Sequence, residues 1–409
     1  MEPVQDYARA VVQMVVFVLY AVWIAPMQSL LYVVFGVGGG GLPWLNGYRT
    51  HVGLFGDLIV RLVRYPTVSL GVPHDSPLLR SLLWLAAAFG NGVAARVAFC
   101  VARDSFADAH ASVRTGFWLA SQSASLAFVS ESGSSPSGSE PSANKPVPNH
   151  RDQLAMLYVH GGGYVNGSPE ISFLHSAHLC AAFDRIAKDH LSLIIFHPQY
   201  PLCPEFSNDD ALQTCLDAYR FMLLKGFKRI CLAGDSAGGH MALNLLAVLS
   251  TQHADLIQPV SAILYCPWVD PFLTVLPAQF GASDVSFHHD IITVVGSRYM
   301  ASKFAPTITK EMRIAPLNWH DSVLESLTPN ILIVYGGADV LRAGIDAFVD
   351  KLQRIADQKK TKQIIVKKRY PYMPHGFNRL FLDSFGVSRK TALESVDVSA
   401  RFLFDSLSS

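Results

Sequence analysis

A hydroxyl, a carboxylate and an imidazole stand in this chain where each directly follows an apolar run, the arrangement that nucleophilic acyl transfer requires. Ser236 lies in Gly234-Asp235-Ser236-Ala237-Gly238-Gly239, between Arg229-Ile230-Cys231-Leu232-Ala233 and His240-Met241-Ala242-Leu243-Asn244-Leu245-Leu246. The first run predicts a buried strand and the second a helix, so the serine occupies a tight strand-to-helix turn with its hydroxyl held clear. A side chain at Gly234 or Gly238 would collide with the crossing strand or helix. Asp339 ends Gly336-Gly337-Ala338-Asp339, just past a strand over Asn330 to Tyr335. His375 opens His375-Gly376-Phe377, beyond Ile364-Ile365-Val366 and Tyr370-Pro371-Tyr372-Met373-Pro374. Serine, then acid, then base, with acid and base each past a strand, suits a triad: histidine takes the serine proton and the carboxylate holds the ring.

Positioning these groups requires a sheet. Leu154-Ala155-Met156-Leu157-Tyr158-Val159 reads as a strand and runs into His160-Gly161-Gly162-Gly163-Tyr164. Successive glycines leave backbone N–H groups facing open space, as stabilisation of a developing oxyanion requires. Further strands are expected at Leu193 to Phe196 and Ser261 to Tyr265, with helices at Asp209 to Leu224, Arg342 to Gln358 and near Ala392 to Ser406. Continuous apolar strands alternating with helices predict an α/β fold, a mostly parallel sheet with helices on both faces. Pro271 to Thr328 lacks a strand and is expected to form a lid-like excursion. Its Phe287-His288-His289-Asp290 cluster reads as surface or pocket wall, and no metal is expected.

The pair His-Gly-Gly-Gly-Tyr and Gly-Asp-Ser-Ala-Gly-Gly resembles the hormone-sensitive lipase family of serine esterases, which includes arylacetamide deacetylases and steryl acetyl hydrolases. The likeness covers about residues 150–409. Tyr200-Pro201-Leu202-Cys203-Pro204-Glu205 resembles the family's Y-R-L-A-P-E box, and Cys266-Pro267-Trp268-Val269-Asp270 its S-P-W-x-D strand end. Two departures stand out: Pro201 where the family usually has Arg, and Ala343 where a second Asp commonly follows Asp339. The resemblance implies an α/β-hydrolase fold with a helical cap and no cofactor. It assigns the oxyanion hole to the N–H groups of Gly162, Gly163 and Ala237, with His160 and Gly161 shaping the loop and Gly234, Asp235 and Gly238 supporting the elbow. The substrate implied is a small lipophilic ester. Amide or formamide hydrolysis would use the same parts, and the family also contains a non-catalytic hormone receptor, which lacks the histidine present here as His375.

Composition bounds the rest. Charged residues make up 16% of 409 and the net charge is +1, with no basic footprint for nucleic acid. Mean hydropathy is +0.26, high for a soluble protein. The six cysteines show no C-x-x-C spacing, and Cys215, Cys231 and Cys266, in predicted core elements, read as buried free thiols. No Asp, Glu, Lys or Arg occurs from Ala10 to Tyr48, and Ala10 to Val37 is apolar enough for one Pro-kinked span or a re-entrant pair. The expectation is a membrane anchor, which by resemblance means the endoplasmic reticulum. The single basic residue before the span, Arg9, against Arg49, Arg61 and Arg64 after it, argues for the opposite side to the lumenal one the resemblance implies. The expected organisation is a membrane segment over 1–50, helical cap elements and a first strand over 51–127, a flexible Ser/Pro-rich loop over 128–150, and a hydrolase domain over 151–409 with a cap insertion at about 271–328.

Overall fold

A computed structural model describes residues 99–107, 113–121, 153–188, 190–275, 290–308, 313–327, 330–359, 364–382 and 387–407. Its centre is an eight-stranded sheet in the order β1-β2-β4-β3-β5-β6-β7-β8. The strands are β1 Phe99–Ala107, β2 Val113–Ser121, β3 Gln153–Val159, β4 Ser192–Pro198, β5 Ile230–Asp235, β6 Ser261–Tyr265, β7 Asn330–Gly336 and β8 Ile364–Tyr370. β1 and β2 pair antiparallel with each other, and β2 antiparallel with β4; every other neighbouring pair is parallel.

Every residue of β5, β6 and β7 is buried, the condition that gives these strands unbroken apolar sequences. Alternate side chains feed two cores. Leu157, Leu232 and Ile333 meet Leu216 of helix α2 (Asn208–Leu224), Met241 of α3 (Ala237–Gln252) and Phe348 of α6 (Arg342–Lys359). Met156, Ala233 and Val334 meet Leu179 and Phe183 of α1 (Phe173–Ala187) and Leu403 of α8 (Val387–Asp405), which follows the short α7 (Phe377–Leu380). α2 starts at a capping box in which Ser207 and Asp210 satisfy each other's backbone N–H groups. The excursion after β6 holds α4 (Val294–Phe304) and α5 (Asp321–Glu325) and no strand among its described residues. It is fastened by Trp268, whose indole N–H donates to Ser297 Oγ at 3.0 Å and whose ring packs on Phe304.

Two elements correct the sequence reading. Residues 99–107 fall within the 51–127 region, expected to hold helical cap elements and one strand, yet they form β1, so that region supplies two strands, β1 and β2. The inward face of β1 carries Asp104 between Ala102 and Phe106, and a carboxylate at a core position hides the two-residue period. Asp104 is satisfied there by the Trp118 indole N–H at 3.1 Å and by Lys225 at 3.3 Å. α1, for which no helix was expected, is sandwiched between the sheet and α8. The apolar segment Ala10 to Val37, most of the 51–127 region, the 128–150 loop, His288 and His289 lie outside the described residues. Among the described residues no helix is long and apolar enough to cross a membrane.

Candidate active site

The carboxyl ends of β5, β7 and β8 deliver Ser236, Asp339 and His375 to one edge of the sheet. Ser236 adopts φ 57° and ψ −118°, a backbone region that non-glycine residues rarely occupy. It is held there by its own N–H donating to the Tyr265 carbonyl (2.8 Å), while its carbonyl accepts from the N–H groups of His240 (3.0 Å) and Trp268 (3.1 Å). The elbow closes because Gly234 and Gly238 are bare. A Cβ on Gly234 would strike the Gly238 carbonyl, and one on Gly238 would strike the Val159 carbonyl on β3.

Asp339 is wholly buried. Its Oδ1 accepts from the Leu341 N–H at 2.8 Å, and its Oδ2 lies 3.0 Å from His375 Nδ1. Burial opposes a charged His375 ring, but the Asp339 and Asp290 carboxylates outweigh it, and the net effect raises the imidazole above its ordinary range. A second carboxylate also stands here. Asp290 is fully buried and accepts from the backbone N–H groups of His375 (2.7 Å) and Val340 (2.6 Å). Only its position beside a lid-like histidine pair marked it in the sequence, and chain spacing offered no link to His375. Cys266 fills the space behind the pair and accepts from the Gly376 N–H at 3.4 Å. Cys266, Asp339 and His375 offer ligand atoms within 4.8 Å of one another. Nδ1 and Oδ2 already share a proton in that group, so it is an acid–base pair backed by a thiol and gives no metal assignment.

The glycine loop faces this edge. Gly162 and Gly163 have φ of 120° and 62°, and the Gly162 carbonyl turns back to accept from Val165 and Asn166. The Gly161 N–H is committed to Asp235 Oδ1 at 3.1 Å, so Gly161 shapes the loop and does not donate into the site. The amides of Gly162, Gly163 and Ala237 make no hydrogen bond among the described residues, and Ala237 is the first residue of α3, where backbone N–H groups lack helical partners. Asp235 also accepts from Tyr158 Oη at 3.2 Å, which ties β3, the loop and the elbow into one unit. His160 is stacked on Tyr200, with ring centroids 4.2 Å apart, and Tyr200 Oη donates to the His160 carbonyl at 2.8 Å. His240 accepts from Tyr164 Oη at Nδ1 (2.5 Å) and donates from Nε2 to the Ile314 carbonyl (3.0 Å), which links the loop to the excursion. Four non-glycine residues with left-handed φ ring the site: Tyr164, Ser236, Cys266 and Tyr372.

Buried histidines around this edge predict acid lability. Burial pushes His160 and His240 down to about 4, and His175 and His197 down to about 3. Unfolded histidine titrates near 6.5, so below that pH the unfolded chain binds more protons. The stability from each neutral ring is complete above about pH 6.5 and is lost as pH falls, by roughly 2 kcal/mol apiece at pH 5. Two groups run the other way: His375, raised, and Asp290, pushed up by burial and Asp339 to about 7. The net loss by pH 5 is on the order of 5 kcal/mol, a large part of an ordinary domain's stability. The urea midpoint should therefore fall by at least a third between pH 7.5 and pH 5. A constant midpoint would show that these rings are not buried neutral.

A family model described as alpha/beta hydrolase fold matches residues 156–379, more than half of the chain. An esterase of Acinetobacter venetianus is 27% identical over 49% of this chain and 61% of its own. An acetyl-hydrolase of Streptomyces hygroscopicus is 34% identical over 30% of this chain and 38% of its own. The chain thus spans less than two thirds of the length of either relative. A crystal structure of an esterase from the bacterial hormone-sensitive lipase family superposes with a TM-score of 0.55 at 18% identity, over 84% of this chain and 96% of that one. At that identity the superposition speaks for the fold.

Proposed function

Since the chain belongs to the alpha/beta hydrolase fold family, we propose that it is a serine carboxylic-ester hydrolase acting on a lipophilic ester. The observation that carries this reading is the elbow serine standing at the same sheet edge as the hydrogen-bonded Asp339–His375 pair. His375 takes the Ser236 proton as the hydroxyl oxygen attacks the ester carbonyl, and Asp339 holds the ring and offsets the charge that forms on it. The amides of Gly162, Gly163 and Ala237 receive the oxyanion, each worth about 3 kcal/mol in the transition state. His375 then protonates the departing alcohol. Water attacks the acyl-enzyme with the same imidazole as base, and the acid is released. A receptor role would leave the Asp339–His375 hydrogen bond without a purpose.

The uncharged run from Ala10 to Tyr48 supports attachment of this activity to a membrane, because burying twenty apolar side chains in lipid gains about 25 cal/mol per Å². One experiment tests both parts. Full-length chain and a form lacking residues 1–48 are fractionated and assayed on p-nitrophenyl esters from acetyl to long acyl. Full-length protein should stay with membranes in high salt and need detergent for release, and both forms should hydrolyse the short esters. Inactivity of the full-length chain on every ester would sink the hydrolase reading, and its recovery in the salt-soluble fraction would sink the anchor.

A further inference from the structure

We infer that Asp290 is a positioning residue that locks the base loop to the acid loop: one carboxylate, supplied by the excursion, bridges the backbone N–H of His375 and the backbone N–H of Val340. The inference rests on the esterase reading above and concerns the same site.

The geometry is specific. Oδ1 accepts from the His375 N–H at 2.7 Å and from the Ile291 N–H at 2.7 Å, and Oδ2 accepts from the Val340 N–H at 2.6 Å. Charge-assisted bonds of this length are the strong kind, and in a fully buried setting they fix the distance between the two loops. Val340 directly follows Asp339, so the carboxylate grips the chain one residue from the acid and at the base itself. The loops are also tied where they leave the paired strands β7 and β8. Ala338 N–H donates to the Met373 carbonyl at 2.9 Å and Gly337 N–H to the Tyr370 carbonyl at 2.7 Å, both upstream of the reacting pair. Beyond them, the Asp339–His375 bond and the Asp290 bridge join the two segments at the reacting pair itself. The excursion therefore does more than cover the sheet edge. Its Asp290 completes the frame in which the imidazole is held.

Placing a carboxylate here also sets the charge around the ring. His375 faces Asp339 from the loop after β7, Asp290 from the excursion and Asp235 from the end of β5, with the Cys266 thiol behind it. Asp290 itself faces Asp339 and His375. Where it is ionised, its charge favours the imidazolium, so removing it should let His375 stay neutral to lower pH.

The test is Asp290→Asn in the full chain, with kcat, KM and the pH dependence of kcat/KM measured on a short p-nitrophenyl ester beside the wild type. An amide keeps one acceptor and turns a donor toward one of the two backbone N–H groups. kcat should fall about 10- to 100-fold with KM within threefold, as a small misplacement of the base would produce. The acidic limb of kcat/KM should move to lower pH by about 0.3 unit or more. A loss of amplitude with the limb unmoved would mean a merely structural group and overturn the inference, as would unchanged kcat. If the amide variant does not fold, Asp290→Glu keeps the charge and displaces it by one methylene. It should lose at least about tenfold in kcat while its acidic limb stays with the wild type, and wild-type kcat there overturns the bridge. A wild-type chain inactive on every ester is a different outcome: the esterase reading fails first and takes this inference with it.

Discussion

Replacing Ser236 by alanine should remove ester hydrolysis by a factor on the order of 10⁶ in kcat, with folding intact. The hydroxyl is the atom that forms the acyl bond, and no other side chain at the sheet edge substitutes for it. The Cys266 thiol lies behind the acid–base pair, is fully buried and is pushed well above its ordinary range by burial and the Asp339 carboxylate, so it is a poor stand-in nucleophile. The backbone of the elbow is held by the Tyr265, His240 and Trp268 main-chain bonds, none of which uses the Ser236 side chain, so the variant should keep the wild-type circular dichroism. A fluorophosphonate probe should label the wild type at Ser236 and leave the variant unlabelled. Labelling at another serine, or a loss smaller than tenfold, would mean that the nucleophile lies elsewhere.

Asp339→Asn is expected to cost about 10⁴ in kcat. Both carboxylate oxygens of Asp339 accept, one from Leu341 N–H and one from the ring of His375. An amide has a single acceptor, and the intact Leu341 N–H leaves the NH₂ facing Nδ1. A donor opposite Nδ1 favours the tautomer with its proton on Nε2, and that nitrogen can then no longer take the serine proton. The departure at Ala343 raised the question of another carboxylate taking over. Asp290 is close, but its described bonds go to backbone N–H groups, not to the ring. Steady-state kinetics of the purified variant decide the matter, and a loss under tenfold would remove Asp339 from the role of acid.

How far the chain could be read without coordinates depended on what each residue answers to. β5, β6 and β7 were legible because a strand buried on both faces must be apolar throughout, and their ends marked Ser236 and Asp339. Gly234 and Gly238 were legible because their need is local: each faces backbone atoms that leave no room for Cβ. β1 was not, since Asp104 sits at an inward position and is neutralised by Trp118 and Lys225 from distant parts of the chain. Asp290 was not, for the same reason at greater range. Its partners are 50 and 85 positions away, and no periodicity records such a contact. The oxyanion loop stands between these cases. Its glycines announced open amides, whereas the commitment of the Gly161 N–H to Asp235 emerged only from the assembled site.

The left-handed backbone at Tyr164, Ser236, Cys266 and Tyr372 also bears on how this chain would behave under artificial selection. Each such residue costs the fold on the order of 1–3 kcal/mol that glycine would largely recover. They are four of the six non-glycine residues with left-handed φ among the described residues, Lys188 and Leu273 being the others, so most gains of this kind in heat resistance lie where the chemistry is done. A library sorted for survival at high temperature alone would drift toward glycine at these positions and enrich robust, inert proteins. Stabilising this protein while keeping the proposed activity means choosing changes in the helices behind the sheet and screening turnover at every round.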